Sequence, residues 1–409
     1  MMLPHNSEFL TPTSSTFQLP VKQQSHLHTV KMQLKSCLPL ALGAIASAQS
    51  LTDVLANNTA ELSTLISLLS AQPAIVSALG SASDITILAP NNAAFAAFLA
   101  TPEGTAAGGD PSTVAALLTY HVVNGTFYAS DFSSTPAFAP TLLSNTTFTN
   151  VTGGQVVEAV SDGTNVTILS GLLAESKVVA ANLNFTGGTV HVIDKVLTIP
   201  QAAGATAVTA GLTNLVGALT RADLVNAVQG LSDVTIFAPS NAAFDAIGSA
   251  TANLSVADLA GILTYHVVNG TVGYSSALTN TSLTALNGGS IDIRIEGENV
   301  FVNSAKVVTP NVLIANGVVH VIDNVLNPNP ASGSATSTGV AFPGATSVSS
   351  TVFTEAPTPS TTLAGAGATP TSSGAASSSL SAGAAGRAFP TGAIEMAALL
   401  GGAGVLMNL

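Results

Sequence analysis

Apolar and polar positions along the chain switch between a helical period and a strand period. Segments Glu61–Ser70 and Pro73–Leu79 read as helices, with Pro73 suited to a first turn and Gly80 where a helix would end. A β-rich run, Asp84–Ala89, then meets Pro90, and Asn91 is placed to cap a helix carrying Phe95 and Phe98. Another helix, Ser112–Leu118, precedes strands punctuated by turn signals at Gly153-Gly154 and Asp162-Gly163. The second half follows the same course, with a helix over Ser255–Ile262 and a turn at Asn287-Gly288. Helices gathered ahead of a strand meander predict an α+β fold and not a doubly wound parallel sheet.

The two halves also repeat in detail. Asp84-Ile85-Thr86-Ile87-Leu88-Ala89-Pro90-Asn91-Asn92-Ala93-Ala94-Phe95 returns as Asp233-Val234-Thr235-Ile236-Phe237-Ala238-Pro239-Ser240-Asn241-Ala242-Ala243-Phe244. Leu118-Thr119-Tyr120-His121-Val122-Val123-Asn124-Gly125-Thr126 returns from Leu263 to Thr271, and Val190-His191-Val192-Ile193-Asp194 returns as Val319-His320-Val321-Ile322-Asp323. The offsets fall from 149 at Asp84/Asp233 to 145 at His121/His266 and 129 at His191/His320, so the first copy carries the longer loops, mostly after its Tyr-His pair. Two copies at so long a period mean a duplicated domain and not a solenoid.

These three segments resemble the two end motifs and the central Tyr-His motif of the fasciclin domain, each twice and in order, over residues 49–200 and 205–328. The resemblance implies two tandem fasciclin-like domains, each a β-sandwich or wedge of about seven strands with helices packed around it. It further implies extracellular adhesion, often by glycosylated, lipid-anchored proteins. The architecture resembles that of fungal and plant fasciclin-like surface proteins. No Arg-Gly-Asp occurs, which leaves integrin recognition through that tripeptide without support.

Composition sharpens the cell-surface expectation. Charged residues make up 7% of the 409 positions and hydrophobic ones 47%, with a net charge of −12 and 9 basic residues. Soluble domains carry about 25% charge, so solubility is expected to come from glycans. The shortage of Lys and Arg excludes nucleic acid and anionic lipid as partners. Met32-Gln33-Leu34-Lys35, the apolar Leu38–Ile45 and Ala46-Ser47-Ala48 form a signal-peptide pattern over 32–48, which predicts a mature start at Gln49 and removes Cys37, the single cysteine. Residues 1–31 are either a polar extension or an untranslated stretch ahead of a start at Met32; a signal buried behind them would be poorly recognised, which favours the second. Residues 329–383, rich in Ser, Thr, Ala and Pro, have no apolar period and read as an extended, O-glycosylated stalk. Residues 384–409 end in a short apolar tail without a basic flank, a glycosylphosphatidylinositol signal, with Ser381 or Gly383 as the anchor site. The membrane contact expected is through that anchor alone, at the outer face of the plasma membrane, in the cell wall, or both.

Candidate chemistry is sparse. His191 and Asp194 are three apart in a strand and so point to opposite faces, which argues against shared metal ligation. No Gly-x-Ser-x-Gly elbow and no phosphate loop is present. We therefore expect no enzyme activity, no metal and no cofactor. Tyr120, His121, Tyr265 and His266 are the candidate interaction or structural residues. They are expected to begin strands, one ring packing in the core while the histidine bonds backbone across a strand junction; otherwise that strand presents a partner surface. N-glycosylation sequons stand at Asn57, Asn124, Asn145, Asn150, Asn165, Asn184, Asn253, Asn269 and Asn280, of which Asn124 and Asn269 occupy matched Val-Asn-Gly-Thr turns. The function expected is non-catalytic adhesion to, or contact with, cell-surface, wall or matrix glycans and proteins, with homophilic binding left open. The alternative is carriage of a small apolar ligand or lipid by the helical side of a module.

Overall fold

The computed structural model describes residues 49–251, 254–329, 342–348 and 352–353. The segments expected to be leader, most of the stalk and the anchor signal, with Ser381, Gly383 and Asn253, lie outside the described residues.

Module 1 runs α1 (Leu51–Asn57), α2 (Thr59–Ser70), α3 (Pro73–Ser81), β1 (Ile85–Pro90), α4 (Asn92–Leu99), α5 (Pro102–Gly108), α6 (Pro111–Tyr120) and β2 (Val122–Asn124). It closes with β3 (Ala137–Pro140), β4 (Val156–Ser161), β5 (Val166–Leu169), β6 (Glu175–Phe185) and β7 (Gly188–Ile193). Module 2 repeats the plan with α7 (Ala203–Thr209), α8 (Thr213–Arg221), α9 (Val225–Gln229), β8 (Val234–Pro239), α10 (Asn241–Ala246), α11 (Gly248–Thr251), α12 (Val256–Tyr265) and β9 (Val267–Val268). Its remaining strands are β10 (Thr281–Thr284), β11 (Ser290–Glu296), β12 (Asn299–Val302), β13 (Ala305–Ile314) and β14 (Gly317–Ile322).

Strand order is β2-β1-β7-β6-β5-β4-β3 in one sheet and β9-β8-β14-β13-β12-β11-β10 in the other, the same seven-stranded plan twice. β1 pairs with β7 in parallel, as β8 does with β14, and the other pairings are antiparallel. The parallel pairs are buried on both faces, and all six residues of β1, β8 and β14 are buried. Asn91 and Ser240 cap α4 and α10 by accepting the backbone N–H of Ala94 and Ala243.

Glycine begins each parallel partner strand for a steric reason. A Cβ on Gly188 would lie 1.8 Å from the Ile85 carbonyl oxygen, and one on Gly317 would lie 1.9 Å from that of Val234. β6 and β13 each bulge at an asparagine in the left-handed region, Asn182 (φ 61°) and Asn311 (φ 62°). The bulge turns the Asn182 N–H onto His191 Nδ1 at 3.2 Å and the Asn311 N–H onto His320 Nδ1 at 3.4 Å.

The modules meet through the long β3–β4 connection of module 1. Asn150 N–H and the Thr149 hydroxyl both donate to the Ala315 carbonyl, at the tip of the β13–β14 hairpin. Gln155 Nε2, fully buried, donates to the Ile314 carbonyl at 3.1 Å, and Thr152 gives its N–H and hydroxyl to the Asp233 carboxylate at 2.7 and 2.6 Å. Phe138 stacks on Tyr274 with centroids 4.2 Å apart. The extra residues that displace the repeat offset in module 1 are thus an intermodular clasp.

The span expected to be stalk is not extended throughout. Phe353 is buried against Phe244, ring edge to face at 5.8 Å, and Val348 N–H donates to the Asp245 carbonyl at 3.0 Å. Gly217 and Gly248 make room, since a Cβ on either would fall 2.4 Å from Phe353 or 2.2 Å from Val348. A few apolar residues too widely spaced to form a period found their burial on α8 and α10. Residues 342–348 and 352–353 therefore pack with module 2, beyond the boundary at 328.

Candidate functional site

The Tyr-His pair sits at a helix end, not at the start of a strand as expected. Tyr120 and Tyr265 are the last residues of α6 and α12, His121 and His266 are the C-caps, and β2 and β9 begin one residue later. The apolar alternation of Val122-Val123 reads as strand from the histidine onward, but the helix claims the preceding residue because both histidine side chains bond back into it. His121 Nδ1 lies 2.7 Å from the Leu117 carbonyl and His266 Nδ1 lies 2.8 Å from that of Ile262, four residues earlier in each case. A nitrogen facing a carbonyl must carry the hydrogen, so each ring is the neutral Nδ1–H tautomer and Nε2 accepts. It does so from Leu197 N–H at 2.9 Å and Leu326 N–H at 2.8 Å, fixing the chain just after the last strand. The histidine carbonyls take the N–H of Leu88 in β1 and Phe237 in β8. One residue thereby joins helix, first strand and C-terminal segment in both modules.

Burial holds these rings neutral. Desolvation pushes His121, His266 and His320 down to about 4, with the carbonyl contact opposing in each, and it lowers His191 by the same cause. Tyr120 donates to the Val156 carbonyl at 3.0 Å and Tyr265 to that of Ser290. Tyr120, His121, Tyr265 and His266 are all buried and offer no side-chain surface to a partner. His191 and His320 are also committed, their Nε2 atoms lying 2.8 Å from the Phe127 carbonyl and 2.7 Å from that of Gly273. Asp194, expected on the opposite face from His191, accepts the Lys177 N–H at 2.7 Å. Among the described residues no group of three or more His, Cys, Asp or Glu could hold a metal ion.

Three further features lie elsewhere. The first is Glu158, on β4 opposite Phe138, with 5% of its surface exposed at the intermodular junction. Asn311 Nδ2 donates to Glu158 Oε1 at 3.3 Å, while Oε2 has no partner, and burial pushes this carboxyl up to about 7. A lone Glu in Val-Val-Glu-Ala-Val gives no sequence signal that a second module covers it. The second is a cleft of about 500 Å³ in module 1, bounded by α1, α2, α3 and the β6–β7 tip. Its only sequence signal is the apolar character of the helices. The third concerns sugars. Asn57, Asn124, Asn145, Asn165, Asn184, Asn269 and Asn280 are exposed, but Asn150 is half-buried in the clasp and the hydroxyl of its sequon Thr152 is bound to Asp233.

With this geometry in place, similarity gives the family. The fasciclin domain model matches residues 60–200 and 210–328, the two modules described above. The chain belongs to the fasciclin-domain family. A fasciclin-like arabinogalactan protein of Arthroderma benhamiae is 37% identical over 271 residues, which is 66% of this chain and 64% of that protein's length. The fasciclin-like arabinogalactan protein elcF of Phaeosphaeria nodorum is 34% identical over 292 residues, 70% of this chain and 91% of that protein. A solved fasciclin domain pair from the insect cell adhesion molecule fasciclin I aligns over 65% of this chain and 96% of its own, at 18% identity and a TM-score of 0.32. The two fasciclin domains are thus α+β units, each a seven-stranded sheet with surrounding helices.

Proposed function

We propose that the chain is a non-catalytic cell-surface module that adheres to wall or matrix material, or to other cells, through its fasciclin-domain pair. In this reading it is secreted from a signal over 32–48, held by a lipid anchor, raised on a glycosylated stalk, and needs no cofactor. One observation carries it: the polar side chains of the shared motifs are consumed inside each domain. His121, His191, His266 and His320 have both ring nitrogens bonded to backbone. Paired titratable groups converging in a pocket, which acid–base chemistry needs, do not arise from them. What faces outward is a largely uncharged surface with exposed sequon asparagines. The relatives named fasciclin-like arabinogalactan proteins support the surface placement.

Weak sites suffice for such a role, because linked modules on many anchored copies raise avidity by roughly 10² to 10⁴. Beads coated with the secreted ectodomain should adhere to cell-wall material or to each other above an uncoated control. Adhesion should fall when 354–379 is deleted, a cut that spares the residues packed on module 2. Coated beads indistinguishable from bare ones would remove the adhesion reading. A second reading, carriage of a small apolar ligand, is favoured by the cleft of about 500 Å³, a volume typical of ligand sites.

A further inference from the structure

In module 2 the place that matches the cleft, between hairpin tip and helices, is strapped shut. Beside its cap histidine each module keeps only a small internal space, about 20 Å³ in module 1 and about 40 Å³ in module 2, and the cleft is separate from both. The difference lies at the hairpin tip. In module 2, Asn316 is buried and its Nδ2 donates to the carbonyls of Val228 at 2.9 Å and Leu231 at 3.1 Å, strapping the tip to the end of α9. Gly187 stands at that position in module 1 and has no side chain to make the strap. Its helix α3 is nine residues long where α9 is five. The tip touches only the C-cap of α3, where a Cβ on Gly187 would lie 2.4 Å from the Ala82 carbonyl oxygen, and Leu51, Leu55, Ile66, Leu69, Val76 and Phe185 line the space beside it.

We infer that this cleft binds a small uncharged amphiphile, an apolar body of sterol or single-chain size bearing a hydroxyl donor, an inference that rests on the carrier reading above. Charge is the first argument. No Asp, Glu, Lys, Arg or His is among the lining residues, so an ionised head group would lose water and gain no partner. Hydrogen-bond polarity is the second. Ser70 Oγ gives its hydrogen to the Ile66 carbonyl at 2.8 Å, Thr186 Oγ1 to that of Gln49 at 3.0 Å, and Ser50 Oγ to Asp53 Oδ2 at 2.7 Å. Thr52 Oγ1 is paired with Ser50 Oγ at 2.8 Å, so four of the five lining hydroxyls have spent their donor, and the fifth, Thr59, stands exposed at the rim. The wall thus offers mainly lone pairs, and a donating ligand fits it best. The third argument is access. Thr59 and Thr186, both lining residues, are the last residues of the sequons at Asn57 and Asn184, whose asparagines are exposed. Sugars there would stand beside the mouth and shield its apolar wall from other proteins while leaving the interior free.

The test uses the secreted, glycosylated protein stripped of lipid, titrated with a fluorescent sterol such as dehydroergosterol, with its 3-ketone, and with cis-parinaric acid. The sterol should saturate at one molecule per chain, and the ketone and the acid should bind at least tenfold more weakly. Gly80 lines the cleft and a Cβ there meets nothing within 4 Å, so Gly80→Phe should fill the space without disturbing the fold and abolish binding at an unchanged melting temperature. Val76→Trp is the second filler should that protein not accumulate. Ketone or acid binding as tightly as sterol overturns the assigned class while leaving carriage standing. Full sterol binding by either filled variant overturns the location. If none of the three probes saturates, both this inference and the carrier reading fall.

Discussion

Modules 1 and 2 share most of their internal joints yet differ at their ends. The histidine C-cap, the bulge asparagine, the capped helix after the first strand and the glycine opening the last strand occupy matching positions in both. The differences fall where each module meets something new. Module 1 has grown the clasp that bonds Ala315 and Asp233, while the short turn of module 2 at Asn287-Gly288 bonds back into its own module, Asn287 Nδ2 donating to the Gly261 carbonyl at 3.1 Å. Module 2 is overlaid by Phe353 and Val348; module 1 keeps an open cleft. A duplicated fold is constrained by the bonds that close its backbone and is free to diverge where its surface gains or lacks a neighbour.

The shared joints are the place to break both modules alike. Gly188→Ala and Gly317→Ala each place a Cβ within 2 Å of a carbonyl oxygen on the parallel neighbour, with φ near 150° besides. Backbone on both sides cannot yield, so each should cost about 4 kcal/mol or more, the range reserved for gross steric conflict. Thermal or urea unfolding followed by tryptophan-free probes such as far-ultraviolet circular dichroism measures it. A loss at one glycine and none at the other would mean that the modules do not share this joint energetically.

Glu158 sharpens the comparison through pH, because it belongs to the junction and the histidines to the interiors. Its folded pKa of about 7 lies above the ordinary 4.5, so its contribution is intact below about 4.5 and is lost as pH rises through 7. The histidines run the other way. With folded values near 4 against 6.5, they hold stability above 6.5 and lose it as pH falls towards 4. Glu158→Gln keeps the shape and can still accept from Asn311 while removing the charge. It should stabilise the protein by about 1–3 kcal/mol at pH 8 and by little at pH 5. Equal effects at the two pH values would show that the carboxyl is not ionising at the junction.

The sequence carried the repeated interior well and the junction hardly at all. Asp84–Phe95 and its copy announce a strand, a cap and a helix through local chemistry, and the structure has each of them. Seven strands per module followed from the family resemblance and not from periodicity, because two- and three-residue strands such as β9 and β2 leave no period to read. The expected strand start is two residues early, at the tyrosine, because a Tyr-His pair that closes its own helix looks, in sequence, continuous with the valine strand after it. Glu158 and the clasp were invisible for one reason: each is made by residues more than 80 positions apart, such as Thr152 with Asp233. The cleft was foreshadowed by the apolar helices, but its closure by Phe185 was not. The longer loop of module 1 was legible as an insertion, but its partner was not.

Thr152 offers the finest cut between the modules, since it touches the junction without entering either core. Its hydroxyl and backbone N–H form a two-point bond with the Asp233 carboxylate, and only the hydroxyl is removed by Thr152→Ala. Asp233 stands in the left-handed region at φ 54°, as Asp84 does at 59° in module 1. Asp84, however, spends its carboxylate inside its own module on Thr126 N–H at 2.8 Å, so the same residue type has been turned from an internal turn bond to an external one. Thr152 is exposed and Asp233 only half-buried, so water can replace the lost hydroxyl, which holds the expected cost to about 0.5–1.5 kcal/mol. The substitution also ends the Asn150 sequon, so the comparison must include Asn150→Gln, which removes the sequon and keeps the hydroxyl. If the clasp bond matters, Thr152→Ala should lower the melting temperature and Asn150→Gln should not. Equal shifts in the two would assign the effect to a glycan on Asn150 and not to the bond with Asp233.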